Sequence, residues 1–235
     1  AHQMGMDPVV LREKNMPVEG GPLHGYDGNS PTATSCSLDR CLKRAKEMFH
    51  WDERYPSRVM PNGKIRGAGM ALAHQGPSIA CVDVGGATVK LNEDGSYTLS
   101  LGCADMGTGC DTILSQMTAD CMDTELDNVV VGAVDTDISP YDSGSYASAT
   151  TYATGNAVLK ACSMLREKIQ AFGAGMLELP VEDTRFDGVC VTGQGRQVSL
   201  AEIAVQATCG NVQELQAAAS FSSMISPPPY MAGLA

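Results

Sequence analysis

The sequence predicts an α+β fold, mixed helices with β-hairpins and a small sheet. Apolar residues recur at helical spacing in SLDRCLKRAKEMFHW (37–51), TILSQMTADCM (112–122) and TTYATGNAVLKACSMLREKIQAF (150–172). Between these segments lie β-rich or continuous apolar runs bounded by glycine-bearing turns. The resulting order is helix, loop, hairpin, helix, strand, helix, hairpin, helix, with no internal repeat, which indicates a mixed architecture.

Each element has a local reason. Asp7 is placed to cap a short helix over 8–15, with Pro8 at its first position. Residues 17–35 are rich in Gly, Pro, Ser and Thr and read as a loop. The helix over 37–51 has Ser37 as cap and Leu38, Cys41, Leu42, Ala45, Met48 and Phe49 on one face. Residues 52–66, with two prolines and NGK, read as a linker or exposed loop. The character then changes, so the division expected is 1–65, N-terminal helices with a connecting loop, and 66–235, one α+β region.

RGAGMALAHQG (66–76) is small and apolar, and PSIACVDVGGATVKL (77–91) is β-rich. NEDGS (92–96) is a hairpin turn and YTLSLGCA (97–104) the returning strand. In 112–122, Ile113, Leu114, Met117 and Cys121 form one stripe. NVVVGAV (128–134) reads as a buried strand, 135–148 as a loop and 150–172 as the longest helix. Residues 181–200 resemble a hairpin with DG and GQG turns, and 199–208 a short Ser-capped helix.

Composition excludes several classes. The 235 residues are 43% apolar and 18% charged, with a formal charge of −11. The nearest approach to a basic run, CLKRAKEM (41–48), reads as a helix face, so neither nucleic acid nor a membrane surface is expected as a partner. No stretch approaches the length of an apolar membrane span. The nine cysteines are scattered without C-x-x-C, which predicts reduced, mostly buried thiols in a cytoplasmic protein rather than zinc or iron–sulfur ligands. The chain opens without an initiator Met and ends at SPPPYMAGLA, and a fragment, processed chain or trimmed piece is the expectation. The four histidines are dispersed, Asp135, Asp137 and Asp142 read as turn residues, and the methionines read as core filler.

Two helix mouths are candidate anion sites. In GCADMGTGCDT (102–112), Asp111 is placed to cap the helix, and Gly107 and Gly109 to leave N–H groups unobstructed for a phosphate. The stretch is neither a lysine-bearing phosphate loop nor a dinucleotide fingerprint. In SGSYASATTYATGNAV (143–158), Ser143, Ser145, Ser148, Thr150 and Thr151 cluster at the start of the long helix. The alternative there is a well-capped helix packed closely through Ala147, Ala149, Ala153 and Gly155. Together the two mouths could converge on one polyphosphate.

GMDPVVLREKN (5–15), KLNEDGSYTLSLGCADMGTGCDTILSQ (90–116) and DTDISPYDSGSYASATTYATGNAV (135–158) occur in one order. In that order they resemble the middle portion of the molybdopterin-binding subunit of the xanthine dehydrogenase/aldehyde oxidase family of molybdenum hydroxylases. The resemblance implies a molybdenum cofactor-binding type of α+β fold. It implies that Met106, Gly107, Thr108 and Gly109 touch the cofactor's phosphate and pterin end, with Thr108 where many relatives carry Gln. Tyr146 and Ala147 match positions near metal and substrate, and Ser148 and Thr150 match cofactor contacts.

The cofactor implied is molybdopterin, in the cytosine dinucleotide form, carrying molybdenum through a dithiolene. A water-derived oxygen would enter an N-heterocycle carbon or an aldehyde. Electrons would leave to iron–sulfur clusters and FAD on partner chains, and an oligomer with the rest of the molybdenum subunit and the iron–sulfur and flavin subunits is expected. The family's glutamate base lies in a Gly-Glu context, whereas Glu178, Glu182, Glu202 and Glu214 lie in other contexts. No catalytic residue or metal ligand is therefore assigned, and the chain alone is expected to be inactive. A non-catalytic structural or remnant fragment stays open as the alternative. An unrelated anion-binding protein is disfavoured by the paired motifs.

Overall fold

The computed structural model describes residues 1–235 except 23–31, 133, 211–213, 225–229 and 235. Parts of the predicted 17–35 loop, of the 128–134 strand and of the SPPPYMAGLA end therefore lie outside the described residues, as does His24. In chain order the elements are α1 (Pro8–Glu13), α2 (Leu38–Phe49), α3 (Trp51–Arg54), β1 (Arg58–Val59), β2 (Ile65–Arg66), β3 (Met70–His74), β4 (Val84–Leu91) and β5 (Tyr97–Leu101). There follow α4 (Cys110–Met122), β6 (Val129–Val131), α5 (Thr150–Met176), β7 (Arg185–Phe186), β8 (Cys190–Gly193), β9 (Arg196–Ser199), α6 (Leu200–Val205), β10 (Gln216–Ser222) and β11 (Tyr230–Leu234). The α+β expectation holds. No helix among the described residues is long and apolar enough to cross a membrane.

The chain forms two compact units. The first comprises 1–76 and 227–235, the second 77–226. Residues 66–76, grouped by sequence with the second region, thus belong to the first. Their strand β3 finds its antiparallel partner in β11, more than 150 residues later, where no local pattern announces it. In the first unit Asp7 caps α1 by accepting from the Val9 N–H (2.7 Å) and also accepts from the Trp51 indole (3.0 Å). Val9, Leu42 and Trp51 make the buried centre, with Tyr55 stacked on Trp51 at 4.8 Å. Ser37 does stand at the start of α2, but its hydroxyl accepts from the Arg40 side chain (2.6 Å) instead of capping an amide. The expected linker over 52–66 contains one turn of helix, α3, and the two-residue hairpin β1–β2.

The second unit is built on a four-stranded sheet in the order β10-β4-β5-β6. The predicted hairpin is β4–β5, with Val89 opposite Leu99 and Leu91 opposite Tyr97. These side chains are buried with Leu114, Met122, Val158, Leu165 and Ile169 of α4 and α5, so the inward face of the sheet and the helical stripes meet as the two periodicities require. β6 is an edge strand, parallel to β5, and Val130 is 55% exposed. The buried strand expected there is corrected: an edge has a neighbour on one side only. β10, with the sequence QAAASFS, was not anticipated and pairs with β4 along its full length. Met122 is buried as expected of core methionine, whereas Met48, Met106 and Met224 are exposed on an outer helix face and loops.

α5 extends one turn beyond the predicted end. Gly173 does not stop it, because the missing side chain leaves room for Val191 and Ile203, whose atoms would lie 2.6 and 3.0 Å from a Cβ. The predicted hairpin at 181–200 is a three-stranded meander, β7-β8-β9. It leads into α6, which carries the Ser199–Glu202 capping box.

Candidate functional site

Both sequence-predicted mouths lie at one end of the β4–β5 hairpin. Residues 140–142 pass directly over Gly102, where a Cβ would sit 2.2 Å from the Pro140 carbonyl oxygen and 2.5 Å from the Asp142 Cβ. Asp142 fastens this crossing. It accepts from the Thr154 hydroxyl (2.8 Å), the Gly144 N–H (2.8 Å) and the Gly86 N–H (3.3 Å), which joins the loop to α5 and β4. Ser143 exchanges hydrogen bonds with the Val84 backbone, and the Ser145 hydroxyl donates to the Ala104 carbonyl (3.0 Å). The last contact joins the 143–148 segment to the glycine-rich turn.

The turn differs from expectation. Gly107 and Gly109 have φ of 98° and 74°, the left-handed values that favour glycine. Their amides are not free. The Asp105 carboxylate accepts from Gly107 N (2.8 Å), Thr108 N (3.0 Å), Gly109 N (3.2 Å) and Asp111 N (3.4 Å). Asp105, not Asp111, satisfies the helix start, and Gly109 is the N-cap with Asp111 inside the first turn. The amides of Gly107 and its neighbours hold the Asp105 carboxyl below the usual carboxylate range. Met106 and Thr108 are exposed on this turn. Oxygens of Asp105 and Asp111 and the Cys110 sulfur lie within 4.8 Å of one another, yet those of Asp105 are occupied by the turn's own amides.

A depressed folded value stabilises above the unfolded carboxylate range and ceases to do so as pH falls through the folded value. Asp105→Asn is therefore expected to lower Tm at pH 7, and the gap should close in acid. A variant melting with the parent at pH 7 would contradict the capping role.

The mouth of α5 is the open one. Ala147 and Ser148 are consecutive non-glycine residues with φ of 47° and 54°. Each such residue costs about 1–2 kcal/mol, and such strain is concentrated at ligand clamps. The Ala147 carbonyl accepts from Ser78 N (3.0 Å) and the Tyr146 carbonyl from Ala149 N (2.9 Å). The N–H groups of Ala147 and Ser148, and the hydroxyls of Ser148, Thr150 and Thr151, donate to no described residue. Of five predicted hydroxyls, Ser143 and Ser145 are thus used in holding the loop, and three remain. No side chain caps α5, a 27-residue helix whose N-terminal partial positive charge faces this opening. Tyr146 is 43% exposed, and its hydroxyl donates to the fully buried Asp83, which also accepts from Ile79 N (2.6 Å). The Asp83 bond raises the Tyr146 phenol.

Three carboxylates that organise the site were not assigned this role from sequence. Asp105, two residues before a glycine, carried a legible Asx-turn signal. Asp142 read only as a turn residue, and Asp83 gave no signal at all within its β-rich run.

Comparison with known proteins follows this geometry. The family model described as molybdopterin cofactor-binding domain matches residues 44–234. The chain is 35% identical over 221 residues to the protein called probable hypoxanthine oxidase XdhD of Escherichia coli strain K12, covering 89% of this chain and 23% of that protein. It is 31% identical over 191 residues to the xanthine dehydrogenase molybdenum-binding subunit of Escherichia coli O157:H7, covering 75% of this chain and 24% of that one. The chain therefore spans about a quarter of the length of these relatives. Among solved structures, CO dehydrogenase from Oligotropha carboxidovorans superposes with a TM-score of 0.71 at 20% identity, over all of this chain and 32% of the other. Aldehyde oxidoreductase from Desulfovibrio desulfuricans ATCC 27774 superposes at 0.65 with 24% identity, over all of this chain and 24% of the other. At these identities the superpositions establish the fold.

Proposed function

The chain belongs to the molybdopterin cofactor-binding domain family of the molybdenum hydroxylases, and we propose that it holds part of a molybdopterin cofactor between the mouth of α5 and the turn at 105–109. The open amides of Ala147 and Ser148 and the hydroxyls of Ser148, Thr150 and Thr151, held in place by two strained residues, carry this reading. Uncommitted N–H groups at a long helix start suit an anion, so Ala147, Ser148 and Thr150 are assigned to the cofactor's phosphate-bearing part.

The turn of Met106, Gly107, Thr108 and Gly109 is assigned to the pterin end. Asp105 fills it with negative charge, which repels phosphate and favours the hydrogen-bond donors of a pterin ring. Tyr146, its hydroxyl committed to Asp83 and its ring half-exposed, is assigned to the metal and substrate side of the cofactor. The donor set therefore fits the group in two parts.

When bound, the molybdenum cofactor supplies the two-electron oxidation by which a water-derived oxygen enters an N-heterocycle carbon or an aldehyde. The contribution of this chain is to bind and orient the cofactor, and no residue of it is assigned a general-base role. The cytosine dinucleotide form, the iron–sulfur and FAD partners, the xanthine-, purine- or nicotinate-type substrate and a cytoplasmic oligomer belong to the same proposal.

Molybdenum by elemental analysis, with the nucleotide released by acid, tests it on the native complex containing this chain. Stoichiometric molybdenum with CMP is expected, and the double substitution Ser148→Ala, Thr150→Val should lower both together. A complex with neither metal nor nucleotide would overturn the reading and favour a non-catalytic structural or remnant role.

A further inference from the structure

α4 and α5 run side by side in the same direction. Gly155 of α5 faces Leu114 and Met117 of α4, where a Cβ would lie 2.8 Å from the Met117 Cε. Farther along, Arg166 of α5 donates to the Cys121 carbonyl (2.8 Å) and pairs with Asp123 (2.9 Å). Cys121, one turn beyond Met117, and Cys162, one turn before Arg166, are therefore at the same level of the interface. Cys162 lies in the buried cluster against which Cys121 packs. Cys162 is fully buried and Cys121 partly exposed. None of the cofactor-binding contacts proposed above involves either.

We propose that Cys121 and Cys162 form an oxidisable dithiol, a modification site for hydroperoxides in which Cys121 is the attacked thiol and Cys162 the resolving one. The surroundings divide these roles. The Cys162 side chain, with the Arg166 guanidinium nearby, pulls the Cys121 thiol down against burial and Asp123. Cys162, behind Cys121 with Thr118 and Tyr97 as further neighbours, is held protonated by the adjoining Cys121 side chain and by burial. The other close pair, Cys103 and Cys110, is buried on both sides. Burial pushes both of those thiols up, Cys103 to about 12, so that pair is unreactive.

The chemistry balances. The Cys121 thiolate attacks the peroxide O–O bond, becoming a sulfenic acid while hydroxide or alkoxide leaves and takes up a proton. The Cys162 sulfur then displaces water from that sulfenic acid, its own proton leaving with the departing oxygen. Two thiols and one hydrogen peroxide give one disulfide and two waters, the two electrons passing from the sulfurs to the peroxide. The product staples α4, whose start carries the 105–109 turn, to α5, whose start carries the open mouth.

The test uses the full chain, fully reduced and folded, treated with a few equivalents of hydrogen peroxide. Free thiols are then blocked with N-ethylmaleimide and the links mapped by mass spectrometry. A Cys121–Cys162 disulfide is expected as the main product. Cys162→Ala should accumulate a dimedone-reactive sulfenic acid at Cys121, several-fold above the parent, and Cys121→Ser should leave Cys162 unmodified. The mapping on the parent chain stands without either variant, should one misfold. Oxidation confined to the exposed Cys81 and Cys209, with both Cys121 and Cys162 recovered as maleimide adducts, would overturn the proposal.

Discussion

Replacing Gly85 with alanine is expected to destabilise the chain by about 3 kcal/mol or more, the upper end of overpacking costs. An added Cβ would lie 2.3 Å from the Thr154 nitrogen and 2.5 Å from the Ala153 carbonyl carbon. Both are backbone atoms of α5, so no side chain can rotate away. The strand cannot retreat either, because β4 is hydrogen-bonded to β10 on one side and β5 on the other. Relief requires moving α5 off the sheet and opening the contacts among Val89, Leu99, Val158 and Leu165. A denaturant titration measures the effect. Gly175→Ala, on the same helix with nothing within 4 Å of its Cβ, is the control and should be neutral or slightly stabilising. A Gly85→Ala variant within about 1 kcal/mol of the parent would show that the sheet and helix yield more easily than close packing allows.

Asp142→Ala should lose about 2–3 kcal/mol, the scale for removing a charged partner from buried donors. Thr154 is 1% exposed, so its hydroxyl would be left in the interior without its acceptor, and the Gly86 and Gly144 amides would lose theirs. The 140–148 loop would then be held mainly by Ser143 and Ser145. Amide hydrogen exchange at Gly86 and Gly144 should accelerate in step with the stability loss. Asp142→Asn, which keeps one acceptor oxygen, should fall between parent and alanine. Unchanged exchange at both glycines in Asp142→Ala would separate Asp142 from the loop's position.

How far the molecule was legible depended on the range of the interaction. The stripe through Leu114 and Met117 and the alternation in YTLSL are short-range patterns, and α4 and β5 formed where they predicted. The Asp7–Pro8 start of α1 was readable for the same reason, since a cap acts over three residues. β10 was not readable. QAAASFS has neither a strong strand composition nor a turn pointing to β4, and its partner lies more than 120 residues earlier. The first glycine-rich turn was recognised, but its occupancy was not, because two carboxylates competed for the same amides. Spacing favoured Asp111, while the left-handed geometry of Gly107 and Gly109 turned the amides toward Asp105.

By itself the sequence determined the α+β class, most helices, the β4–β5 hairpin and the motifs that mark the family. These are carried by residue types at fixed short separations, which hydrophobic periodicity and turn chemistry make explicit. Only the tertiary structure decided that β3 pairs with β11, that Asp83 engages Tyr146 and that Asp105 closes one helix mouth while strained Ala147 and Ser148 keep the other open. Those outcomes are settled by competition among distant groups for the same hydrogen bonds and the same buried space, and no short stretch of chain contains all the competitors.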